Sequence, residues 1–411
     1  MFQRPRGTRD FLPDDMLKRR YLENKLREVF LSYGYREVQT PTFEHLELFT
    51  AKSGEGIIEE MYTFKDKSGR DLALRPELTA PVIRMYVEKL QMSPKPIKLF
   101  YFGNCYRYDR PQKGRYREFT QAGCELIGCD SPPALAELIS LAWKCMEKSG
   151  LKNFNLRIGN LDILNKFLDT IGLTDSLKKK AIPLIDKREY DALRELLSSD
   201  LSQDDIDRLE RFLQTKSIDE IEKQVDKNMK DDIERFRQIL SWLDVFGVKK
   251  YEISMEIVRG LEYYRGMVFE IECPKLGAER QICGGGEYEL VELFGGKNIS
   301  TAGFAIGFDR VIIALEEEGF AFPEEKIDFY IIPASEDVVK EAIEISMKLR
   351  DRGESVDIDL TGRNLRKSMK YANSIGAKKV IIVGKKDLEE NKVTIRDMES
   401  GEQERVEVDK L

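Results

Sequence analysis

Residues 97–127 read IKLFYFGNCYRYDRPQKGRYREFTQAGCELI. Both ends are rich in Phe, Tyr, Ile and Leu, and the middle carries Pro and Gly, so the segment predicts two strands, Ile97–Tyr106 and Glu118–Ile127, joined by a basic loop. The loop and its edges, Tyr106 to Phe119, hold five basic residues against two acidic ones, with Tyr116 and Phe119 as flat surfaces. Guanidinium groups on a strand-loop-strand frame can grip phosphate oxygens bidentately while a ring stacks on a base, which suits a nucleoside triphosphate. A solvated hairpin tip has the same composition.

On the N-terminal side, Met16, Leu17, Tyr21, Leu22, Leu26, Val29 and Phe30 recur at helical spacing over 14–31 after Pro13-Asp14, and a strand from Tyr35 to Thr40 is expected to stop at Pro41. On the C-terminal side, residues 251–311 predict further strands with Gly-rich turns. Strand-rich segments separated by helices imply an α/β (α+β) fold on a mixed, mainly antiparallel sheet. Residues 172–246 interrupt this block with a charged, Gly-poor helical pattern, expected to be an inserted helical module. After Phe322-Pro323-Glu324-Glu325 the chain alternates strand (328–333), helix (336–351), strand (355–360), helix (363–375) and strand (379–383). The expected division is therefore 1–325, containing the insertion, and a small α/β domain at 326–411.

Composition narrows the chemistry. With 411 residues, 41% apolar and 34% charged, the chain is long enough for two or three domains and is not disordered. Sixty-seven cationic against 74 acidic residues leave a net charge of −7, so any polyanion site must come from local clustering. The single histidine, His45, excludes a multi-His zinc site and leaves no partner for a Ser/His/Asp triad. Six cysteines without a CxxC pair read as free thiols, and no apolar run is long enough to span a membrane. A cytoplasmic protein is expected.

Four further clusters stand out. Arg259-Gly260-Leu261-Glu262-Tyr263-Tyr264 borders an apolar run, where an Arg needs an anion or a carboxylate such as Glu256 or Glu262. Gly284-Gly285-Gly286-Glu287-Tyr288 allows close backbone approach to a ligand, although a hairpin turn is the usual meaning of such a run. Arg310 follows the apolar strand Gly303–Gly307 at the start of a helix, where it can cap, pair or face a phosphate. Residues 361–386 carry Arg363, Arg366, Lys367, Lys370, Lys378, Lys379, Lys385 and Lys386 and no acid, in a domain with 17 basic and 18 acidic residues from 326 onward. That stripe suits a nucleic-acid backbone, and solvated lysines would look alike.

Together these segments resemble the histidyl-tRNA synthetase family of class II aminoacyl-tRNA synthetases over essentially the whole chain. Pro5-Arg6-Gly7-Thr8-Arg9-Asp10-Phe11-Leu12-Pro13 is similar to its opening signature. The helix, strand and Pro41 are similar to class II motif 1, residues 101–127 to motif 2 and residues 303–315 to motif 3. The Arg-Gly-Leu-Glu-Tyr-Tyr and Gly-Gly-Gly-Glu-Tyr segments resemble the two histidine-specific motifs, with a departure from the usual pattern at Glu287-Tyr288-Glu289-Leu290-Val291.

The resemblance implies a class II synthetase core and a C-terminal anticodon-binding domain. It implies that Arg107 meets the α-phosphate of ATP, Arg115 the terminal phosphates, Phe119 the adenine, and Arg310 the phosphates from the other side. Glu77, Thr79 and Gln121 would bind the ammonium side of L-histidine, Glu125, Tyr263, Tyr264 and Tyr288 would surround its imidazole, and Arg259 would lie between carboxylate and α-phosphate. Arg363, Arg366, Lys367 and Lys370 would meet tRNA(His), Mg²⁺ would accompany ATP, and the motif 1 helix would make a homodimer. The inserted module would contact the acceptor stem. The expected activity is histidine adenylation followed by transfer to the 3′ end of the tRNA. A non-catalytic regulatory subunit of histidine biosynthesis and a synthetase for proline or threonine are the competing readings; the presence of Arg259 and of residues 326–411 weighs against the first, and the double tyrosine against the second.

Overall fold

The structure, a computed structural model, describes residues 2–53, 55–258 and 263–411. It divides into two compact units, one ending at Phe322 and one comprising Pro323–Leu411.

The first unit is built on an eight-stranded sheet: β1 (Arg36–Glu37), β2 (Ile97–Tyr106), β3 (Glu118–Ile127), β4 (Asn155–Asn160), β5 (Glu252–Ile253), β6 (Tyr264–Glu272), β7 (Gln281–Tyr288) and β8 (Thr301–Gly307). Their order across the sheet is β1-β2-β3-β8-β7-β6-β4-β5. Only the two outermost pairs are parallel. The hairpin β2/β3 pairs along its whole length, from Ile97 opposite Ile127 to Tyr106 opposite Glu118. Helix α1 (Pro13–Ser32) and helix α2 (Pro132–Ser149) cover one face. The N-terminus of α1 is fixed by Pro13 in its first turn and by the Asp15 carboxylate, which accepts from the Leu12 N–H at 3.1 Å. Phe30 of α1 stacks on Phe100 at 5.0 Å and on Phe304 at 6.0 Å. Alternation along β2, β3 and β8 therefore sends Phe100, Ala122, Cys124 and Phe304 into this core, and Tyr101, Gln121, Glu125 and Gly303 to the opposite face.

Two details differ from the sequence expectation. The strand expected over Tyr35–Thr40 is regular only at Arg36–Glu37. Beyond it the carbonyls of Thr40 and Pro41 turn to accept from the buried Arg75 guanidinium, at 2.8 and 3.0 Å, so they are lost to the ladder. The Gly284-Gly285-Gly286 run is the interior of β7, not a turn. It needs glycine because its neighbours approach closely: a Cβ at Gly286 would lie 2.5 Å from the Met267 carbonyl oxygen.

The inserted module consists of α3 (Asp175–Lys187), α4 (Tyr190–Leu197), α5 (Gln203–Gln214), α6 (Ile218–Gln224) and α7 (Lys230–Val245), and it packs on the preceding helix Leu161–Thr170, where Phe167 stacks on Phe212 at 3.9 Å. Helix α8 (Phe308–Glu317) follows β8 directly. His45 lies exposed in a small three-stranded sheet, and all six cysteines are free.

The second unit has a five-stranded sheet, with strands Phe329–Pro333, Val356–Ile358 and Lys379–Val383 parallel, as a strand-helix alternation requires. Helices Val339–Asp351 and Leu365–Ser374 connect them. Two antiparallel strands, Lys392–Asp397 and Gln403–Glu407, extend the sheet beyond the elements expected from sequence.

Candidate functional site

The face of the sheet opposite α1 carries two adjoining regions. The first is an open cleft of about 570 Å³, whose walls include Arg107, Arg115, Phe119, Gln121 and Arg310. Strand β2 delivers Arg107 and strand β3 delivers Phe119, with the Arg107 guanidinium 5.1 Å from the Phe119 ring centre. The loop between them closes where the Arg107 N–H donates to the Arg117 carbonyl. Arg310, in the first turn of α8, reaches across to the loop: its Nε donates to the Gly114 carbonyl at 3.0 Å and its Nη1 to the Gln281 carbonyl at 2.9 Å. Burial pushes the Arg310 guanidinium down from its ordinary value; Glu279 offsets part of this, and the like charges of Arg115 and Arg107 add to it.

Those three cations face protein acceptors. Arg310 is paired with Glu279, Arg115 with Asp109 at 2.9 Å, and Arg107 donates to the Pro76 carbonyl at 3.0 Å. Glu279 also lies 3.9 Å from Arg115. The lining also holds Asp109, Asp186, Glu279 and Asp309. Asp309 is taken by Arg9 and Arg19, however, and Arg107 and Arg310 donate to neutral carbonyls, so the three converging guanidiniums can still cradle a polyanion.

The second region is aromatic and largely buried, with Tyr263 and Tyr264 partly exposed. Glu125 of β3 is fully buried, and two phenols hold it: Tyr101 donates to Oε1 at 2.9 Å and Tyr288 to Oε2 at 2.5 Å. Gly303 on the neighbouring strand makes room, because a Cβ there would overlap Glu125 Oε2. Burial pushes the Glu125 carboxyl up to about 8, against the lowering effect of the Tyr288, Tyr101 and Thr79 hydroxyls. The Tyr263 and Tyr264 rings stack at 4.7 Å, and Tyr288 stands edge-on to them at 6.0 and 6.3 Å. Glu77 turns the chain below this region, its carboxylate accepting from the Thr79 N–H at 2.6 Å and the Ala80 N–H at 3.1 Å. The Thr79 hydroxyl reaches Tyr101 at 3.5 Å.

Strand β3 joins the two regions. Phe119, Gln121, Gly123 and Glu125 share a face, and six residues at about 3.3 Å each put roughly 20 Å between Phe119 and Glu125. Gln121 sits between them, its amide oxygen 3.4 Å from the Cys105 thiol. The expected site residue Arg259 lies outside the described residues. Glu256, named above as a candidate partner, is bound by Arg157 and Arg188, both at 3.0 Å, and by Tyr190.

Sequence reasoning missed Tyr101, Glu279, Asp186 and Asp309. Tyr101 could have been found by strand phase, since it shares a face with Gly103 and Cys105 opposite the β3 site residues. Asp186 of the inserted module also lines the cleft, which no local pattern signals. Asp309 is buried beneath it, held by Arg19 at 2.6 Å and Arg9 at 2.9 Å while accepting from the Thr120 N–H at 2.8 Å.

In the second unit, the expected stripe of eight uncompensated cations needs correction. Acids outside that window pair with three of them: Asp359, four residues before Arg363, meets it at 3.4 Å, while the fold brings Asp328 to Lys378 at 2.7 Å and Asp337 to Lys385 at 3.3 Å. Arg363 also lies over the Tyr371 ring at 4.3 Å. Arg366, Lys367 and Lys370 are exposed on helix Leu365–Ser374.

Comparison with known proteins agrees along the whole chain. The family model for Histidyl-tRNA synthetase matches residues 7–311, and that for the Anticodon binding domain matches residues 328–411. A Histidine–tRNA ligase of Methanocaldococcus jannaschii is 46% identical over 415 residues, covering 100% of this chain and 99% of the relative. The crystal structure of apo S. aureus histidyl-tRNA synthetase aligns with a TM-score of 0.76 at 32% identity, over 100% of this chain and 98% of that one. A structure described as an ATP phosphoribosyltransferase regulatory subunit/histidyl-tRNA synthetase from Bacillus halodurans C aligns at 0.80 with 27% identity, over 93% and 98%.

Proposed function

The chain belongs to the histidyl-tRNA synthetase family, its activity is that of a histidine–tRNA ligase using ATP, and we propose that its two adjoining regions divide the two small substrates between them. The open cationic cleft takes ATP: Phe119 stacks on adenine, Arg107 grips the α-phosphate, and Arg115 and Arg310 take the outer phosphates. The aromatic region takes L-histidine: Glu125, Tyr263, Tyr264 and Tyr288 surround the imidazole, while Glu77, Thr79 and Gln121 face the ammonium group. Arg259, by its place in the family's motif, lies between carboxylate and α-phosphate.

The observation that carries this reading is the buried pair Glu125–Tyr288, some 20 Å along one strand from Phe119 and beside the Tyr263 and Tyr264 rings. A buried site of hydrogen-bonding groups discriminates strongly, because an analogue without ring nitrogens leaves those groups unpaired. Attack of a carboxylate on an α-phosphate brings anions together and asks for little proton transfer, so positioned guanidiniums can supply most of the stabilisation.

Mg²⁺ fits this site as a companion of the nucleotide. Among the described residues no group of three or more His, Cys, Asp or Glu side chains could hold a metal alone, but Glu279 offers a carboxylate beside the phosphate-facing arginines. A divalent ion there would neutralise phosphate charge.

For the second step, Arg363, Arg366, Lys367 and Lys370 meet the backbone of tRNA(His). The match of residues 328–411 to an anticodon-binding domain supports this and weighs against a regulatory role. We also read the protein as a cytoplasmic homodimer formed through α1 and the strand after it, and light scattering should give twice the chain mass. No helix among the described residues is long and apolar enough to cross a membrane.

ATP–pyrophosphate exchange measured with each of the twenty amino acids tests the reading. Exchange with histidine alone is expected; exchange with proline or threonine, or histidine binding without exchange, would replace it.

A further inference from the structure

The inserted module touches the catalytic sheet through buried charge. Arg235, in α7, makes a two-pronged ion pair with Glu287: Nη2 to Oε1 at 2.5 Å and Nη1 to Oε2 at 3.0 Å. The same guanidinium donates to the Asp130 carbonyl at 2.9 Å. Glu287 is only 3% exposed, and its Oε2 also accepts from the Met267 N–H at 2.7 Å. The strand geometry is shaped around this carboxylate. The pairing of β6 with β7 shifts register between Gly286 and Glu287. Gly266 takes a φ of +51°, and a Cβ there would overlap Glu287 Oε2.

Glu287 is the immediate neighbour of Tyr288, and side chains alternate across a strand, so the two point to opposite faces. Tyr288 faces Glu125, and Glu287 faces the module. A second contact repeats the pattern, since Arg188 and Tyr190 of the module bind Glu256, three residues before Arg259 in sequence.

We propose that the inserted module positions the imidazole pocket, with Arg235 acting through Glu287 to set the strand end that carries Tyr288. The proposal rests on the reading of Tyr288 as a wall of the histidine site. A carboxylate this buried is held in place by its partners: without Arg235, Glu287 must find water or take up a proton, and either response releases the bulge at residues 286–287. Tyr288 then loses its fixed distance to Glu125, so histidine is bound less well. The ATP cleft shares only the opposite end of this strand, Gln281–Gly284, on the far side of the register shift, and takes Arg107, Phe119 and Arg310 from other elements, so it should respond much less.

The test is pyrophosphate exchange by the full-length protein, with histidine and ATP titrated separately. Arg235→Ala is expected to raise KM for histidine roughly 3- to 30-fold, the range of a coupling carried by neighbouring packed groups, with KM for ATP within about twofold of wild type. Arg235→Lys should recover part of the loss, because it keeps the charge without the guanidinium fork. If Arg235→Ala does not melt cooperatively, Arg235→Lys decides alone: a raised histidine KM with unchanged ATP KM supports the proposal. Wild-type KM values for both substrates with a lowered melting temperature would make Arg235 a structural brace and overturn it, as would equal rises in both KM values. A wild-type histidine KM in Tyr288→Phe would instead remove the reading on which the proposal rests.

Discussion

The cleft that faces Phe119 and the pocket that encloses Glu125 share a strand and little else. The cleft is open, and its cations bond largely to backbone carbonyls and partly exposed acids, which a phosphate can replace at small cost. The aromatic region is deeper, and its buried carboxyl is held near neutral by burial and bound by two phenols. An enzyme that joins two anionic groups needs both conditions. It must hold a polyanion with mobile partners, and it must read a small polar ring with partners that cannot adjust.

The largest effect should come from the residue assigned to the junction between the two regions. Arg259→Ala is expected to slow histidine-dependent pyrophosphate exchange on the order of 10²- to 10³-fold at saturating substrates, as when a preorganised charge-stabilising donor is removed. Arg259→Lys should rescue only part of that, since a point charge cannot reproduce the guanidinium fork. A wild-type rate in Arg259→Ala would move the junction to another residue.

Next in size is the cleft alone. Phe119→Ala removes a stacking surface worth about 1–3 kcal/mol, so KM for ATP should rise roughly 5- to 150-fold while KM for histidine stays close to wild type. Coordinated rises in both would mean that the two regions are not separable.

These two regions were legible in the sequence to different degrees. Arg107, Arg115 and Phe119 lie within 13 residues of one another, so charge density and a hairpin pattern were enough to find them. Arg310 was found as a lone cation, but its contacts at Gly114 and Gln281 depend on strand order. The pocket draws Tyr101, Glu125 and Tyr288 from three strands, and no spacing in the chain reveals that they meet. Its residues were named from family resemblance, and Tyr101 was missed. The Gly284–Gly286 run was left between a ligand approach and a hairpin turn, because local composition does not show that three strands crowd there. The stripe at 361–386 failed in the opposite way: the window holds no acids, yet Asp359 pairs locally from just outside it, and Asp328 and Asp337 arrive through the fold.

A third expected effect follows from that correction. Arg366→Ala, Lys367→Ala and Lys370→Ala together should leave pyrophosphate exchange intact and weaken tRNA binding, with the salt slope falling by roughly 0.7 to 0.9 for each phosphate that is no longer neutralised. Arg363, tied to Asp359 and Tyr371, should contribute less than these three. An unchanged slope would make the helix a solvated face.

A smaller effect concerns pH. Glu125 loses its proton near about 8 when folded, against an ordinary value of 4.5. Between those values the folded chain holds a proton that the unfolded chain has released. Stability from this group is therefore full below 4.5, falls as pH rises through the window, and levels off above about 8. Melting temperatures of wild type and Glu125→Gln across this range should show the decline only in wild type. Parallel curves would place Glu125 in a wetter setting than its burial indicates.

The division of labour between cleft and pocket is tested most directly by Glu125→Gln, assayed by pyrophosphate exchange with both substrates titrated. The account predicts a KM for histidine at least about tenfold higher, in line with one buried polar group left without its partner, and a KM for ATP within about twofold of wild type. A histidine KM equal to wild type, or a loss confined to ATP, would contradict it.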